Sequence, residues 1–306
     1  MHVRDRAAGA IVGLALGDAL GAPFEFRRAA DIPDPVPAFT LRWMGRPPGS
    51  WTDDTAMARN LWCSLLDRSG TLDTADVLRR HLDWLASDPP DVGNQTRLAL
   101  RAAADGTSDA ARVVFERRGP EVSAGNGSVM YCAPLGVVRA FHPERLLDEA
   151  VALSRITHWD GRCATACGAI TLAVAALVRG EPPEPAVLAA VGAVAEAEGG
   201  EELEYLVGAA GRSRPVDGPD MGFTLFTAAV ALRTVVEASD AATGMLDVVR
   251  LGGDTDTNAA VAGALLGARD GLGSLPPTWR DRLADGAEIE REAMALAGLA
   301  GAMQPR

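Results

Sequence analysis

Aromatic residues are scarce. They make up 5% of the 306-residue chain, although 48% of it is hydrophobic. A core drawn from such a composition has to be mostly Ala, Leu and Val. Runs of basic residues are missing too. Lys and Arg total 29 against 41 Asp and Glu, a formal net charge of −12. That excludes a broad electrostatic grip on nucleic acid and leaves room only for a local basic patch. Cysteine is rare: Cys63, Cys132, Cys163 and Cys167 each lie in or beside an apolar segment. Cys163 and Cys167 stand at i, i+4, but no second Cys/His pair has zinc-site spacing, so all four are expected as buried thiols. Free thiols fit a reducing, cytoplasmic setting.

Strand signals are absent as well. Val and Ile nowhere alternate with polar residues over five positions, and no Asn-Gly turn joins two such runs. Asn126-Gly127 lies between Gly125 and Ser128 and reads as a loop. No repeat of 20–50 residues appears and no linker divides the chain. An all-α single domain over residues 1–306 is expected. The N-terminus superficially resembles a signal peptide, with Arg4 and Arg6 before the apolar run Ala7–Gly17. Asp5 falls in its basic region, three glycines dilute it, and Asp18 interrupts it. The run is too short to span a bilayer, so a buried helix is expected and no membrane partner.

What is present is helical. Gly9, Gly13 and Gly17, with Ala10 and Leu14, recur at three- and four-residue spacing over 6–20, which suits close helix packing. Residues 27–50 are proline-rich without a clean period and read as a long ordered loop. Helical patterns follow at 54–68, 73–86, 94–104, 108–117, 128–140, 144–155 and 161–179. Others cover 184–198, 201–209, 222–238, 241–250, 258–269 and 279–298. Gly/Pro-rich loops are expected at 199–200 and 211–220, and a frayed end at Gln304–Arg306.

Two acidic clusters lie about 200 residues apart: Thr52-Asp53-Asp54-Thr55 and Asp254-Thr255-Asp256-Thr257. Each precedes an Ala-rich helical stretch. One helix cap needs one Thr or Asp, and both clusters exceed that need. Carboxylate and hydroxyl oxygens are hard ligands for Mg²⁺, Mn²⁺ or Ca²⁺. If the fold joins the two helix starts, the site could hold two cations. Asp254-x-Asp256 resembles the start of a calcium loop, but the Gly and the distal Glu of an EF-hand are missing. Two further segments carry polar turns. Gly17–Glu25 ends the first helix in a Gly-rich turn with a carboxylate. Gly125-Asn126-Gly127-Ser128 is expected to open a helix at Val129, where bare N–H groups suit phosphate.

These segments, in this order, resemble the ADP-ribosylglycohydrolase family, including the dinitrogenase reductase-activating glycohydrolases. The matching stretches are Gly9–Glu25, Trp51–Met57, Gly125–Gly136, Ser154–Ala169 and Gly252–Gly267. The resemblance implies an orthogonal multi-helix bundle with a binuclear Mg²⁺ or Mn²⁺ centre. It implies metal ligation by Thr52, Asp53 and Asp54 from one side and Asp254, Asp256 and Thr257 from the other. Gly125, Asn126, Gly127 and Ser128 would cradle a diphosphate. Glu25 matches a flap glutamate that reaches the metals in some members. Asp91, in Asp91–Thr96, matches an aspartate proposed as general base; its plain alternative is a cap for the helix at Asn94.

His158 would touch the phosphates or support the metals, and Phe223 falls where relatives stack an aromatic on the ligand. Each is equally at home in a core. Tyr131-Cys132 replaces an Arg found in many relatives, which would change the leaving group or the phosphate contacts. The implied activity is removal of ADP-ribose from an ADP-ribosylated partner. The bond is to protein arginine, or alternatively to serine, nucleic acid or acetate. Asp91 or Glu25 would deprotonate the attacking water, and Asp54 would be essential. A protein that binds ADP-ribose without cleaving it, and a metal-dependent phosphohydrolase, are the readings from other classes.

Overall fold

The structure is a computed structural model that describes residues 2–302, so the expected frayed end at Gln304–Arg306 lies outside it. Among the described residues there are fifteen α-helices. The first five are α1 (Val3–Gly21), α2 (Asp53–Asp67), α3 (Thr74–Ala86), α4 (Asn94–Ala104) and α5 (Ala110–Arg118). Next come α6 (Ala133–Val138), α7 (Leu146–Ser154), α8 (Gly161–Arg179), α9 (Pro183–Ala193) and α10 (Gly200–Val207). The last are α11 (Thr224–Glu237), α12 (Ala241–Arg250), α13 (Thr255–Asp270), α14 (Pro277–Arg280) and α15 (Gly286–Ala302). Side-chain caps fix several starts. Thr52, Asp73, Asp160 and Asp240 each accept from a backbone N–H in the first turn of the helix that follows.

The glycines of α1 set the centre of the fold. At four-residue spacing, Gly9, Gly13, Gly17 and Gly21 share one face. Each lies directly against a backbone carbonyl of α13, from Gly267, Gly263, Ala259 and Thr255 in turn. The two helices therefore run antiparallel with their backbones in contact, and a side chain at any of these positions would collide with the partner's backbone. Between them, α1 and the apolar α8 (Gly161–Arg179) are long and apolar enough to cross a membrane by composition. The most apolar windows of α1 and α8 are 94% and 78% buried inside the fold. The α1 helix adds only a few residues at either end of the helical spacing read over 6–20.

Several expected boundaries shift for local reasons. The helix expected over 128–140 begins only at Ala133, because Pro134 has no N–H to continue a helix through Met130. Gly125–Ser128 is therefore a loop followed by turns and opens no helix of its own. The helix expected over 184–198 ends at Ala193. Beyond it, Val194 and Ala195 bond to carbonyls three residues back, at 3.2 and 3.3 Å. The 279–298 stretch is split by Asp285, whose φ of 54° is left-handed. Contrary to the expectation of no strand, β1 (Arg27–Arg28) pairs antiparallel with β2 (Gly252–Gly253). Gly252 and Gly253 have φ of 70° and 76°, and added Cβ atoms would meet backbone atoms of Ala29 and Val216. That conformation is invisible to strand periodicity. All four thiols are free, with Cys132, Cys163 and Cys167 buried.

Candidate active site

Because α1 and α13 are antiparallel, the end of α1 meets the start of α13. Asp18, on the last turns of α1, is fully buried. Its carboxylate accepts from the backbone N–H of Thr52 (3.0 Å) and of Thr55 (2.9 Å), and from the Thr55 hydroxyl. The start of α2 is thus pinned to the end of α1. The two acidic clusters then touch. The Thr257 hydroxyl donates to Asp54 Oδ2 at 3.3 Å, across 203 residues of sequence. The Thr52 hydroxyl donates to the same oxygen at 3.0 Å. Helix α13 starts at Thr255, three residues before the expected boundary, so the second cluster lies in its first turn.

A cleft of about 370 Å³ opens over this junction. One part of its lining is acidic: Glu25, Asp53, Asp91, Asp254 and Asp256, with Thr257. One carboxylate oxygen each of Glu25, Asp91 and Asp256 lie within 4.8 Å of one another. Glu25 and Asp91 thus belong to the carboxylate cluster itself. Asp91 is no cap: the residue at the start of α4 is Gly93, which has no side chain, and Gly93 donates its N–H to Asp53 Oδ2 at 3.1 Å.

The other part of the lining is Gly125, Asn126, Gly127 and His158, with Arg118, Gln95 and Thr96. Asn126 bonds Asp254 Oδ2 at 2.8 Å and Thr227 at 3.0 Å, which ties this loop to the acidic cluster. Its own N–H is bonded to Gly222 O at 3.0 Å, so it is not available to a phosphate. Gly127 has to be glycine. A Cβ there would lie 2.8 Å from His158 Cε1 and 2.9 Å from Thr96 Oγ1. The His158 ring is held through Nδ1 by Thr157 Oγ1 at 2.9 Å. Burial lowers its pKa to about 4, so at neutral pH it is an uncharged imidazole.

Three expected site residues lie elsewhere. The Ser128 side chain is fully buried and bonds Ser154 (3.0 Å) and Cys167 (3.5 Å) in the core. Phe223 lines an adjoining cavity of about 600 Å³, which shares Gly125 and Gly222 with the cleft and holds Arg162 and Arg214. Tyr131 is also fully buried, packed edge-on against His81 with its hydroxyl on Leu153 O at 3.3 Å. It does not line the cleft. The cleft does hold a positive charge, Arg118 at the end of α5, which sequence reading missed. In sequence it looks like an ordinary basic residue in a last helical turn.

The carboxylates strain against one another. Asp53, Asp54 and Asp256 are held well above the usual range, first by burial and then by neighbouring acids. Burial, with Asp91, Asp254 and Asp53 nearby, pushes Glu25 up to about 8. Burial raises Asp18 to about 6 despite its bonds to Thr55 and Thr52. Asp54 Oδ1 and Asp256 Oδ1 are buried with no hydrogen-bond partner among the described residues. Two orphaned carboxyl oxygens in a cluster of six acids fit divalent cations, which would satisfy them and favour their charged form.

A pH dependence follows for the metal-free protein. Each raised group is more acidic unfolded than folded, so its contribution is favourable at low pH and lost as pH rises through its folded pKa. The window runs through about 6 for Asp18 and about 8 for Glu25. In EDTA, calorimetry should show a lower melting temperature at pH 8.5 than at pH 5.5, and Mn²⁺ should narrow the gap. A melting temperature that rises over this interval in EDTA would contradict the assignment.

The family pattern described as ADP-ribosylglycohydrolase matches residues 1–306. The chain belongs to that family. It is 33% identical, over 98% of both chains, to the ADP-ribosyl-[dinitrogen reductase] glycohydrolase of Rhodospirillum rubrum. It is 27% identical to the ADP-ribosylarginine hydrolase Tri1 of Pseudomonas putida (strain GB-1), over 95% of this chain and 78% of the relative. The ADP-ribosylhydrolase ARH3 of Gallus gallus is also 27% identical, over 95% and 92%. A solved structure, an ADP-ribosylglycohydrolase-related protein complex, superposes with a TM-score of 0.79 at 34% identity. It covers 98% of this chain and 99% of its own. The all-α fold of the ADP-ribosylglycohydrolase type is thus the expected one. Membership places the chain among hydrolases of ADP-ribosyl glycosidic bonds.

Proposed function

We propose that this protein cleaves the N-glycosidic bond between ADP-ribose and an arginine of a modified protein. Two divalent cations, Mg²⁺ or Mn²⁺, would be held between α2 and α13. One observation carries this reading: the hydrogen bond from Thr257 to Asp54, which makes one site of the two acidic clusters. Thr52, Asp53, Asp54, Asp254, Asp256 and Thr257 would hold the ions, with Glu25 within reach through Asp256. Bound ions would orient the distal ribose and stabilise charge developing at the bond that breaks.

The residues of the chain have separate tasks. Gly125 and Gly127 leave backbone room for a diphosphate beside Arg118 and the neutral His158. Binding there acts at a distance from the reacting bond and fixes the sugar over the acids. Asp91 faces the cluster without belonging to either helix start, and burial raises its pKa. It is the best-placed group to take a proton from the attacking water. A relative named for ADP-ribosylarginine supports the arginine linkage, and one named for dinitrogen reductase supports a protein substrate.

The test is product analysis on an arginine-ADP-ribosylated protein, with Mn²⁺ and with EDTA. Free ADP-ribose formed only with the metal is the expected result. Release only from serine-linked, nucleic-acid-linked or acetylated ADP-ribose would move the bond. AMP would make the protein a phosphohydrolase. Binding without product would overturn catalysis.

A further inference from the structure

A third cavity, of about 240 Å³, backs onto the cleft and shares Asp53 and Asp91 with it. Its lining brings together three of the six tryptophans, Trp43, Trp51 and Trp84, and adds a third carboxylate, Asp88. In a chain with 5% aromatic residues this concentration is unusual. Two of the rings are held in place: Trp43 is 5% exposed, and the Trp51 indole N–H donates to Ala284 O at 3.1 Å. Asp88 sits at a left-handed φ of 55° just after α3, in the turn that leads to Asp91. Arg46, exposed, is the single cation in the lining against three acids.

Indole rings beside carboxylates suit one kind of ligand, a flat cation on an alkyl stem. The rings attract the cation through their faces, and the carboxylates accept its N–H groups in pairs. An anion would be repelled, and a neutral apolar group would leave the acids unpaired. Asp53 and Asp91 line both cavities, so this one adjoins the acids over which the ribose would sit. We propose that this tryptophan-walled cavity is the leaving-group site and takes the alkylguanidinium of the arginine released from ADP-ribose. The proposal rests on reading the main cleft as the ADP-ribose site.

The probe is N-butylguanidine, with its neutral isostere N-butylurea, titrated calorimetrically into wild-type protein saturated with ADP-ribose and Mn²⁺. Butylguanidine is expected to bind at least about tenfold more tightly than butylurea. Trp84→Ala should weaken butylguanidine about tenfold, with Trp84→Phe between it and wild type, while the affinity for ADP-ribose alone stays unchanged. Equal affinity for guanidine and urea, or full affinity in Trp84→Ala, overturns the proposal. If Trp84→Ala does not fold, the wild-type comparison decides. If ADP-ribose itself fails to bind, the reading of the main cleft falls, and the leaving-group site falls with it.

Discussion

Asp54→Ala is expected to lower kcat for ADP-ribose release by about 10³-fold or more, with the helical circular-dichroism spectrum intact. Asp54 is where the two acidic clusters meet: one of its oxygens accepts from Thr52 and Thr257, and the other is buried without a partner. Losing it removes the acid most enclosed by the site. Metal assistance supplies several kcal/mol of transition-state stabilisation, and each 1.36 kcal/mol is tenfold in rate. The same residue carries the opposite effect on stability. Its pKa is held well above the ordinary range by burial and by Asp18, Asp53 and Asp254, so the charged form is unfavourable in the metal-free fold. Asp54→Asn keeps an oxygen for both threonines and removes the charge. In EDTA at pH 8 it should melt higher than wild type while remaining inactive. An active Asp54→Ala enzyme, or an Asp54→Asn protein that melts lower in EDTA, would contradict this account.

Gly17→Leu should unfold the protein or come close to it. The Gly17 position lies against the Ala259 carbonyl, and a Cβ there would also be 2.9 Å from Ala260 N. Both obstacles are backbone of a buried helix, which cannot rotate aside as a side chain can. Forcing even one methyl into such a contact should cost about 3 kcal/mol, at the upper end for overpacking, from a total stability of about 5–15 kcal/mol. Gly17→Ala is therefore expected to lose about that much in urea unfolding, and the larger leucine more. Gly218→Ala is the control: nothing lies within 4 Å of its added methyl, so its effect should stay within about 0.5 kcal/mol. A Gly17→Ala protein as stable as the control would mean that α1 and α13 are not in backbone contact.

How much of this was legible in the sequence depends on whether the signal was local. The Gly9–Gly17 spacing and the helical periods over 54–68, 73–86 and 161–179 are local, and α1, α2, α3 and α8 lie close to their expected spans. The acidic clusters were legible because each holds more oxygens than a cap can use. Asp18 was read only as an interruption in an apolar run. Its importance comes from backbone N–H groups 34 and 37 residues away, which no nearby pattern announces. Tyr131 and Ser128 sit in the turns before α6, where no helical or strand period says which way a side chain points. Both go into the core. Arg118 and the three clustered tryptophans come from separate segments that only tertiary packing brings to the site.

The most direct test of the central claim is the number of Mn²⁺ ions bound per chain, counted by electron paramagnetic resonance against a free-ion standard. Two ions are expected in the wild type. Asp54→Asn and Asp256→Asn, drawn from clusters about 200 residues apart in sequence, should each lose at least one. Two ions still bound in both variants, or none in the wild type, would contradict a single site built jointly by α2 and α13.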